Sequence, residues 1–516
     1  MPDEGATLRD RQQHARTGLL ASFLMVAGSG YFELLTGLVR SILVMRLLGP
    51  TGVGLVGIIL LIERYLGNIH LGILHGISKS LPTAIAVNDE AQAQRIEDTG
   101  STWVMATTTV GSAGVLAAAL LWPGLGQPTR LVLGLGAAIF LCDQAYNLYR
   151  TIGRSWQVYR PLVAGSVVWT SSLTVLMVVG AWAGGPVGAA MGWLVASGIS
   201  AYLLHAVVRL QPKVSLHWPT ARSLLVTGLP LAAMAFADTL LLTVDSTVLL
   251  RRGATVFGLY SAIAVQARRY IFNLARSLSF VLMPRLLEEY AQHRCLRRLR
   301  AVAMEPTIAL AIGVPLLAAV TAVLLPPAAR TLVPKFYAGV PAGQLASFAA
   351  CLMTLPLALS MCLVVLDREW EAVAGQVAGA LGIVLCVWGP ASRGELTATA
   401  IGAALGCWVM TICIGINALA RLSGSAIEAV LTLGLLHLPL AWAIAAWQVA
   451  ERVSEAMAHL HADSWPGALL RLGIMTFLLS PLVGYASVRF DVVHRSRRML
   501  AALRRVAAGE DDEKTA

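Results

Sequence analysis

The chain has 516 residues and is too hydrophobic for a soluble protein, with 57% hydrophobic and only 13% charged residues and a mean hydropathy of +0.70. A soluble chain carries about 25% charged residues, so this composition excludes a soluble enzyme, a disordered chain and a fibrous repeat. The net charge is +11, from 35 Arg and 4 Lys against 28 acidic residues. In so apolar a chain this excess indicates cytoplasmic loops rather than nucleic-acid binding.

Fourteen runs are long and apolar enough to cross a membrane, for which about 20 residues are needed. Spans 2 and 8 are the least apolar because they contain charged residues. We therefore predict an all-α polytopic membrane protein with about 14 spans. Numbered in chain order, these are residues 19–45, 52–74, 100–122, 130–150, 161–183, 186–208, 223–250, 256–284, 303–325, 341–366, 371–390, 397–419, 427–447 and 467–488.

The loops differ in basic charge between the two sides of the membrane. About 25 Lys and Arg residues lie on the side of the N-terminus and 8 on the other side. Since basic loops stay in the cytoplasm, we expect both termini to be cytoplasmic. No loop exceeds about 20 residues, and the seven Cys form no CxxC pair. The sequence therefore favours a protein that is not an enzyme and has no cofactor or metal site. H⁺ and Na⁺ are alternatives for a coupling ion.

The chain resembles itself at an offset of 205 residues. The run VRSILVMR at 39–46 aligns with VDSTVLLR at 244–251. The offset covers six spans, an even number, so the two halves should have the same orientation in the membrane. We therefore predict two parallel six-helix lobes related by an axis along the membrane normal, as in many transporters. The aligned polar positions are Glu33 with Asp238, Arg40 with Asp245, Arg64 with Arg269, Tyr65 with Tyr270 and Asn68 with Asn273, while Gly54 matches Gly258 at an offset of 204.

The repeat gives a division of the chain into segments. Spans 13 and 14 lie outside the repeat, and the last segment begins with arginines and ends in the acidic run GEDDEK. The predicted segments are a cytoplasmic N-terminal segment (1–18), a first lobe of spans 1–6 (19–209), a cytoplasmic linker (210–222), a second lobe of spans 7–12 (223–420), spans 13 and 14 (421–488) and a cytoplasmic tail (489–516).

Several charged residues lie inside the predicted spans, where each costs about 2.5–3.5 kcal/mol on insertion scales. They must face a wet cavity or one another. One interpretation is structural pairing, for example Arg40 with Asp245 and Glu63 with an arginine of span 8. The other is an anion site, because guanidinium groups bind phosphate bidentately and stay charged when buried. We predict substrate binding by Arg40, Arg64, Arg268, Arg269, Asn273 and Arg276, and coupling or gating by Glu33, Glu63, Asp238 and Asp245.

Two motifs carry a family resemblance. The run RLLGPTGVGL at 46–55 is similar to the R-x-L-G-P-x-x-F/Y-G-L motif after the first span of polysaccharide flippases. In the second half, GLP at 228–230, Asp245 and FGLYS at 257–261 resemble the corresponding pattern of those proteins. Ser246 stands where an Arg usually follows. The sequence thus resembles the Wzx-like branch of the multidrug/oligosaccharidyl-lipid/polysaccharide exporter superfamily.

The resemblance implies a flippase that moves a lipid-(pyro)phosphate-linked oligosaccharide across a bacterial inner membrane by alternating access, for cell-surface polysaccharide biosynthesis. The implied partners are the lipid-linked glycan, membrane lipids and other polysaccharide-assembly proteins. An ion-coupled drug or small-molecule exporter of the same superfamily is the main alternative. A membrane polysaccharide polymerase or ligase is a weaker one, since the loop 448–466 that contains His459 and His461 is short.

Overall fold

The computed structural model describes residues 19–208, 213–456 and 464–489. The predicted N-terminal segment, most of the tail and part of the linker lie outside these residues. The helices of the described part are α1 Leu19–Leu66, α2 Ile73–Ala86, α3 Glu90–Leu121, α4 Gln127–Ser155, α5 Tyr159–Val208, α6 Trp218–Leu250, α7 Ala254–Tyr260, a π-helical turn Ser261–Val265, α8 Gln266–Arg276, α9 Ser279–His293, α10 Leu296–Leu332, a 3-10 helix Pro334–Gly339, α11 Val340–Thr354, α12 Leu357–Val365, α13 Glu369–Arg393, α14 Leu396–Ser423, α15 Ala426–Ala456 and α16 Trp465–Arg489.

The fourteen predicted spans correspond to helices of the structure. Within the described residues, eleven helical segments are long and apolar enough to cross a membrane. Two of these, α1 and α5, are interrupted by non-helical glycines and each provide two crossings. The run from α7 through α8 supplies the remaining crossing. It is not among the eleven because the π turn divides it into short helices and α8 contains charged residues. The prediction of an all-α polytopic protein with about fourteen spans is confirmed.

The motif RLLGPTGVGL at 46–55 lies at the break in α1, and the structure explains three of its residues. Gly49 has φ 65° and ψ −178°, a conformation that glycine adopts at no steric cost. Pro50 starts the next helical segment, where its missing N–H is not needed. Arg46 donates from Nε to the carbonyl of Leu332 at 2.5 Å and from Nη2 to that of Thr331 at 3.0 Å. The arginine therefore caps the C-terminal end of α10.

Helix α5 reverses direction at Gly184 and Gly185, which have non-helical φ and ψ angles. On either side of the break, Gly180 and Gly188 lie face to face, and a Cβ atom on either one would be 2.1 Å from the other's carbonyl oxygen. Gly192 approaches the backbone of Leu176 in the same way, since a Cβ atom on Gly192 would be 2.1 Å from the Leu176 carbonyl oxygen. These residue pairs are symmetric about the break, so spans 5 and 6 form a tight antiparallel hairpin.

The two halves of the repeat meet in a symmetric contact. A Cβ on Gly54 would lie 1.8 Å from the oxygen of Ala254, and one on Gly258 would lie 2.0 Å from that of Pro50. At an offset of 204, each of these contacts is the counterpart of the other. Thr51 and Thr255, also 204 apart, share a side-chain hydrogen bond of 2.8 Å. Reciprocal contacts of this kind are the signature of a two-fold axis, which supports the internal repeat.

The slip of the repeat from 204 to 205 has a structural explanation. The α-helix of span 2 runs unbroken from Pro50 to Leu66, whereas span 8 contains the π turn. A π turn accommodates one additional residue within an α-helix. Beyond it the symmetry resumes at the new offset, because Tyr65 contacts Thr247 of α6 and its counterpart Tyr270 approaches Gly37 of α1.

The described chain forms two compact units, which are not the same as the predicted lobes. The first runs to Tyr270 and includes Ala329–Ala346 and Leu366–Met410; the second contains Ile271–Ala328, Ser347–Val365 and the chain from Thr411 onwards. The predicted lobe boundaries stay a prediction. The second unit has an apolar core with small residues packed around larger ones, which include Ala318, Ala322, Phe348, Trp447 and Met475.

Candidate functional site

The most buried charged group of the first unit is an ion pair between α6 and α8. Arg268 Nη2 donates to Asp245 Oδ2 at 2.8 Å, and the two side chains are 1% and 0% exposed. Arg268 also donates to the carbonyl of Leu242 at 3.2 Å. The second Asp245 oxygen, Oδ1, accepts the backbone N–H of Ser246 at 2.8 Å. The carboxylate is therefore satisfied at both oxygens and fixed in orientation.

Tyr260 completes this cluster, and the π turn is what allows it to do so. Its hydroxyl donates to Asp245 Oδ2 at 2.7 Å. Tyr260 and Arg268 are eight residues apart, which in a regular α-helix would place them about 80° from each other around the axis. The additional residue accommodated by Ser261–Val265 removes most of this angle, so both side chains reach the same oxygen.

A second group of arginines has fewer acceptors. Arg64 on α1 interacts electrostatically with Arg269 and Arg268, and more weakly with Asp245. Its Nη2 atom is buried and has no hydrogen-bond partner among the described residues. Arg40 likewise has Arg269 as a cationic neighbour, with Glu33 as the acid of the group. Arg64 and Arg269 are equivalent in the repeat, so this like-charge interaction involves two symmetry-related guanidinium groups.

Hydroxyl groups lie beside these arginines. The Tyr65 hydroxyl is 2.7 Å from Thr247 Oγ1 and accepts a hydrogen bond of 3.1 Å from Thr243 Oγ1. Tyr270, its counterpart, is an electrostatic neighbour of both Arg40 and Arg269. The hydroxyls of Thr243 and Thr247 also donate to the backbone carbonyls of Thr239 and Thr243, so the donors for an anion in this group are those of the arginines.

A pair of carboxylates lies elsewhere in the first unit. The charged neighbour of Glu63 is Asp143 on α4. Glu63 Oε1 and Asp143 Oδ1 are buried without a hydrogen-bond partner among the described residues. The other Asp143 oxygen, Oδ2, accepts the indole N–H of Trp193 at 3.2 Å. His70 is also buried, at 2% exposed.

The structure brings together some predicted residues and corrects two predicted pairings. Asp245 pairs with Arg268, not with Arg40, because Arg268 and Tyr260 both donate to its Oδ2 and the Ser246 N–H donates to its Oδ1. Glu63 has Asp143 as its charged neighbour rather than an arginine of span 8. The roles predicted for these side chains stay predictions.

Three further predicted site residues are Asp238, Asn273 and Arg276. Asp238 Oδ1 accepts the side-chain amide of Gln376 on α13 at 2.7 Å. Asn273 and Arg276 follow Tyr270 and belong to the second unit. There the Arg276 guanidinium lies 5.9 Å from the centre of the Phe272 ring.

Sequence reasoning missed Tyr260 and Gln376 as partners of intramembrane acids. Tyr260 lies within the FGLYS motif, yet its spacing of eight from Arg268 gives no indication of a shared partner unless the π turn is known. Gln376 is 138 residues from Asp238, and its uncharged amide does not stand out in an apolar span. Within the described residues, no group of three or more His, Cys, Asp or Glu side chains could hold a metal ion.

Solved structures share this fold at low sequence identity. The chain is similar to a multidrug-resistance MATE-family transporter of the MOP superfamily in an inward-facing conformation, with 14% identity, a TM-score of 0.63 and coverage of 78% of this chain and 98% of that one. It is similar to the lipid II flippase MurJ in an inward closed conformation, with 11% identity, a TM-score of 0.58 and coverage of 91% and 99%. It is also similar to a MOP-superfamily transporter from Pyrococcus furiosus, with 16% identity, a TM-score of 0.56 and coverage of 81% of this chain and 97% of that one.

The chain therefore has the fold of the MOP-superfamily transporters, a class of multi-pass membrane proteins. Within that class, the similar structures include multidrug transporters as well as a lipid II flippase. No family model and no curated protein matches the chain.

Proposed function

We propose that this protein is a flippase that moves a lipid-(pyro)phosphate-linked oligosaccharide across a membrane by alternating access. The protein would provide binding and orientation and no chemical step. Its fold supports membrane transport, and the arginine group supports an anionic substrate.

The observation that carries the proposal is the state of Arg64. Its Nη2 atom is buried without a hydrogen-bond partner in the described part of the chain, and its strongest charged neighbours are other arginines. A buried donor without an acceptor is destabilising. Arginine in this state suits a ligand with several anionic oxygens, since a guanidinium can bind phosphate with two parallel hydrogen bonds.

The Asp245–Arg268 ion pair removes one acid from the charge balance of Arg40, Arg64 and Arg269. Asp245 accepts hydrogen bonds from Arg268, Tyr260 and the backbone N–H of Ser246, so its charge is balanced mainly by Arg268 and not by Arg40 or Arg64. Glu33 is then the acid that interacts with Arg40 and Arg269. Three arginines against one acid favour a pyrophosphate over a cationic drug.

A second candidate function has a specific observation in its favour. The neighbouring carboxylates Glu63 and Asp143 each have a buried oxygen without a partner among the described residues, and such a pair suits H⁺ or Na⁺. An ion-coupled exporter of small molecules on the same fold would use such a site directly. A flippase could use it for coupling, so the pair alone does not decide between the two.

We place the protein in a bacterial inner membrane with both termini in the cytoplasm. The basic loops support this orientation. Its proposed partners are the lipid-linked glycan, membrane lipids and other proteins of cell-surface polysaccharide assembly.

The test is flipping in proteoliposomes that contain a fluorescent lipid-pyrophosphate oligosaccharide in the outer leaflet. Arg64→Gln and Arg269→Gln should each lower the initial rate at least about tenfold, a change of about 1.4 kcal/mol in barrier. Arg130→Gln is the matched control, because Arg130 is exposed and makes one long hydrogen bond of 3.5 Å to the Trp122 carbonyl. Wild-type rates in both site variants would contradict the proposal, and uptake of a cationic drug in their place would favour the exporter.

A further inference from the structure

The segment Lys213–His217 joins the two halves of the repeat and has no regular secondary structure. It is held on the beginning of α3 by hydrogen bonds from alternate backbone N–H groups. Lys213 N donates to Asp98 Oδ1 at 2.8 Å, Ser215 N to Thr102 Oγ1 at 3.1 Å and His217 N to Thr99 Oγ1 at 3.3 Å. The segment therefore lies extended along α3, bound by side chains rather than by a strand.

The residues between these donors have a different environment. Val214 is 94% exposed. Leu216 lines an apolar cavity of about 320 Å³, together with Ile69, Thr102, Trp103, Ala106, Thr107 and Val110. The segment thus combines three polar contacts with one apolar side chain that borders a cavity.

The surface of α3 that receives the segment is itself buried and hydrogen-bonded. Asp98 is 9% and Thr99 1% exposed, and Gln94 Nε2 donates to the same Asp98 oxygen at 2.9 Å. The preceding residue, Glu97, accepts the indole N–H of Trp156 just after α4. One helix end therefore anchors the chain connections that follow both span 4 and span 6.

We propose that Lys213–His217 is a latch, docked on Asp98, Thr99 and Thr102 in the state seen here and released during transport. The release, but not the docking, rests on the proposed function, because release matters only if the two halves move during a transport cycle. Three hydrogen bonds of ordinary length and one apolar side chain suit such a device, since they hold a segment in place yet open locally without unfolding the helices.

Docking can be measured without any substrate, by limited proteolysis with a lysine-specific protease. The chain has only four lysines, Lys79, Lys213, Lys335 and Lys514, so cleavage after Lys213 gives two large fragments. The triple variant Asp98→Ala, Thr99→Val, Thr102→Val should be cleaved there at least about tenfold faster than wild type, because cleavage follows the population of the open segment. Cleavage after Lys79 serves as the internal reference for an intact fold.

The control variant is Thr109→Val. It removes a hydroxyl from the same helix, and this hydroxyl donates to the Met105 carbonyl one turn earlier. It should leave the rate at Lys213 unchanged. Equal rates for the triple variant and wild type, with an unchanged rate at Lys79, would overturn the docking.

Release is tested by locking the segment. Thr102→Cys with Ser215→Cys should form a disulfide on oxidation, since the Thr102 hydroxyl is 3.1 Å from the Ser215 nitrogen. The locked protein should lose at least about tenfold in flipping rate, and reduction should restore it. Wild type, with its seven cysteines, and each variant with only one of the two added cysteines should be insensitive to the oxidant. Failure to cross-link would contradict the contact, and a locked protein with full activity would contradict release. If neither wild type nor the reduced variant flips the lipid-linked glycan, the proposed function would be contradicted. The proteolysis test of docking would be unaffected.

Discussion

The guanidinium of Arg268 and the carboxylate of Asp245 form an almost fully buried ion pair at 2.8 Å, although the repeat would have paired Asp245 with Arg40 across the axis. The π turn of span 8 makes this possible, because it places Tyr260 and Arg268 on one face of the helix. Beside this pair, Arg40, Arg64 and Arg269 outnumber Glu33, the acid that interacts with Arg40 and Arg269. The structure therefore contains one structural ion pair and one group of cationic residues. Mutation of the ion pair should lower stability, whereas mutation of the cationic group should lower substrate affinity.

Removal of Asp245 should destabilise the protein strongly. Asp245→Ala leaves the Arg268 charge buried and unpaired, a loss of about 3–5 kcal/mol in the free energy of unfolding. The double variant Asp245→Leu, Arg268→Met should recover most of this stability, because no bare charge remains. Thermal unfolding in detergent measures both. As a control, Glu395→Gln should have little effect, since Glu395 and Arg393 form an ion pair in which both side chains are exposed and exposed pairs contribute little to stability. An Asp245→Ala variant as stable as wild type would show that the pair contributes nothing.

Alanine at the symmetric glycine contact should disturb the packing of α1 against α7. A Cβ at Gly258 would be 2.0 Å from the Pro50 oxygen, which is backbone and cannot move aside. Gly258→Ala should cost about 1–3 kcal/mol by overpacking. Gly198→Ala, where a Cβ would have no atom within 4 Å, should be neutral or stabilising by up to about 1 kcal/mol. Equal melting temperatures for the two variants would contradict the close approach.

Cys295, between α9 and α10, should react as a thiolate at lower pH than an ordinary cysteine. Hydrogen bonds from the backbone N–H groups of Arg298 and Arg297 lower the pKa of its thiol. A lowered pKa means more thiolate at a given pH below about 8.5, the usual value. The pH dependence of alkylation should therefore have its midpoint below that of an unfolded peptide of the same sequence. A midpoint at or above that of the peptide would refute the shift, and Cys295→Ser identifies the background.

The same cysteine tests the predicted orientation. Cys295 lies in the basic region 285–303, which the charge distribution places in the cytoplasm. A membrane-impermeant maleimide should label it in sealed inside-out vesicles and leave it unlabelled in right-side-out vesicles. The reverse pattern would invert the topology.

Much of the fold was predictable from the sequence because apolar length and loop charge are local properties. The fourteen spans follow from composition alone, and the repeat followed from charged positions such as Arg64 and Arg269, where chance matches are rare. The structure adds the reason for the slip in that repeat. One residue is accommodated in the π turn Ser261–Val265, and a sequence pattern shows the slip without its cause.

The pairing of charges was not predictable in the same way. The sequence showed which charged residues lie inside the spans, but not which helix lies opposite each of them. Asp143 is the charged neighbour of Glu63 because α4 packs beside span 2, and Gln376 reaches Asp238 from α13. Such partners depend on tertiary packing. The docking of Lys213–His217 was not predictable from the sequence either, since Thr99 and Thr102 look like ordinary residues at the start of a span.

The most direct test of the anion site is the affinity of the purified protein for a lipid-pyrophosphate oligosaccharide, measured with the melting temperature of the same substrate-free variants. Arg64→Gln and Arg269→Lys should each raise the dissociation constant at least about tenfold, or about 1.4 kcal/mol, the lysine because an ammonium cannot make the bidentate contact. Neither should lower the melting temperature, because no acid is left unpaired. Unchanged affinity together with a large loss of stability would show that these arginines are structural and would contradict the account.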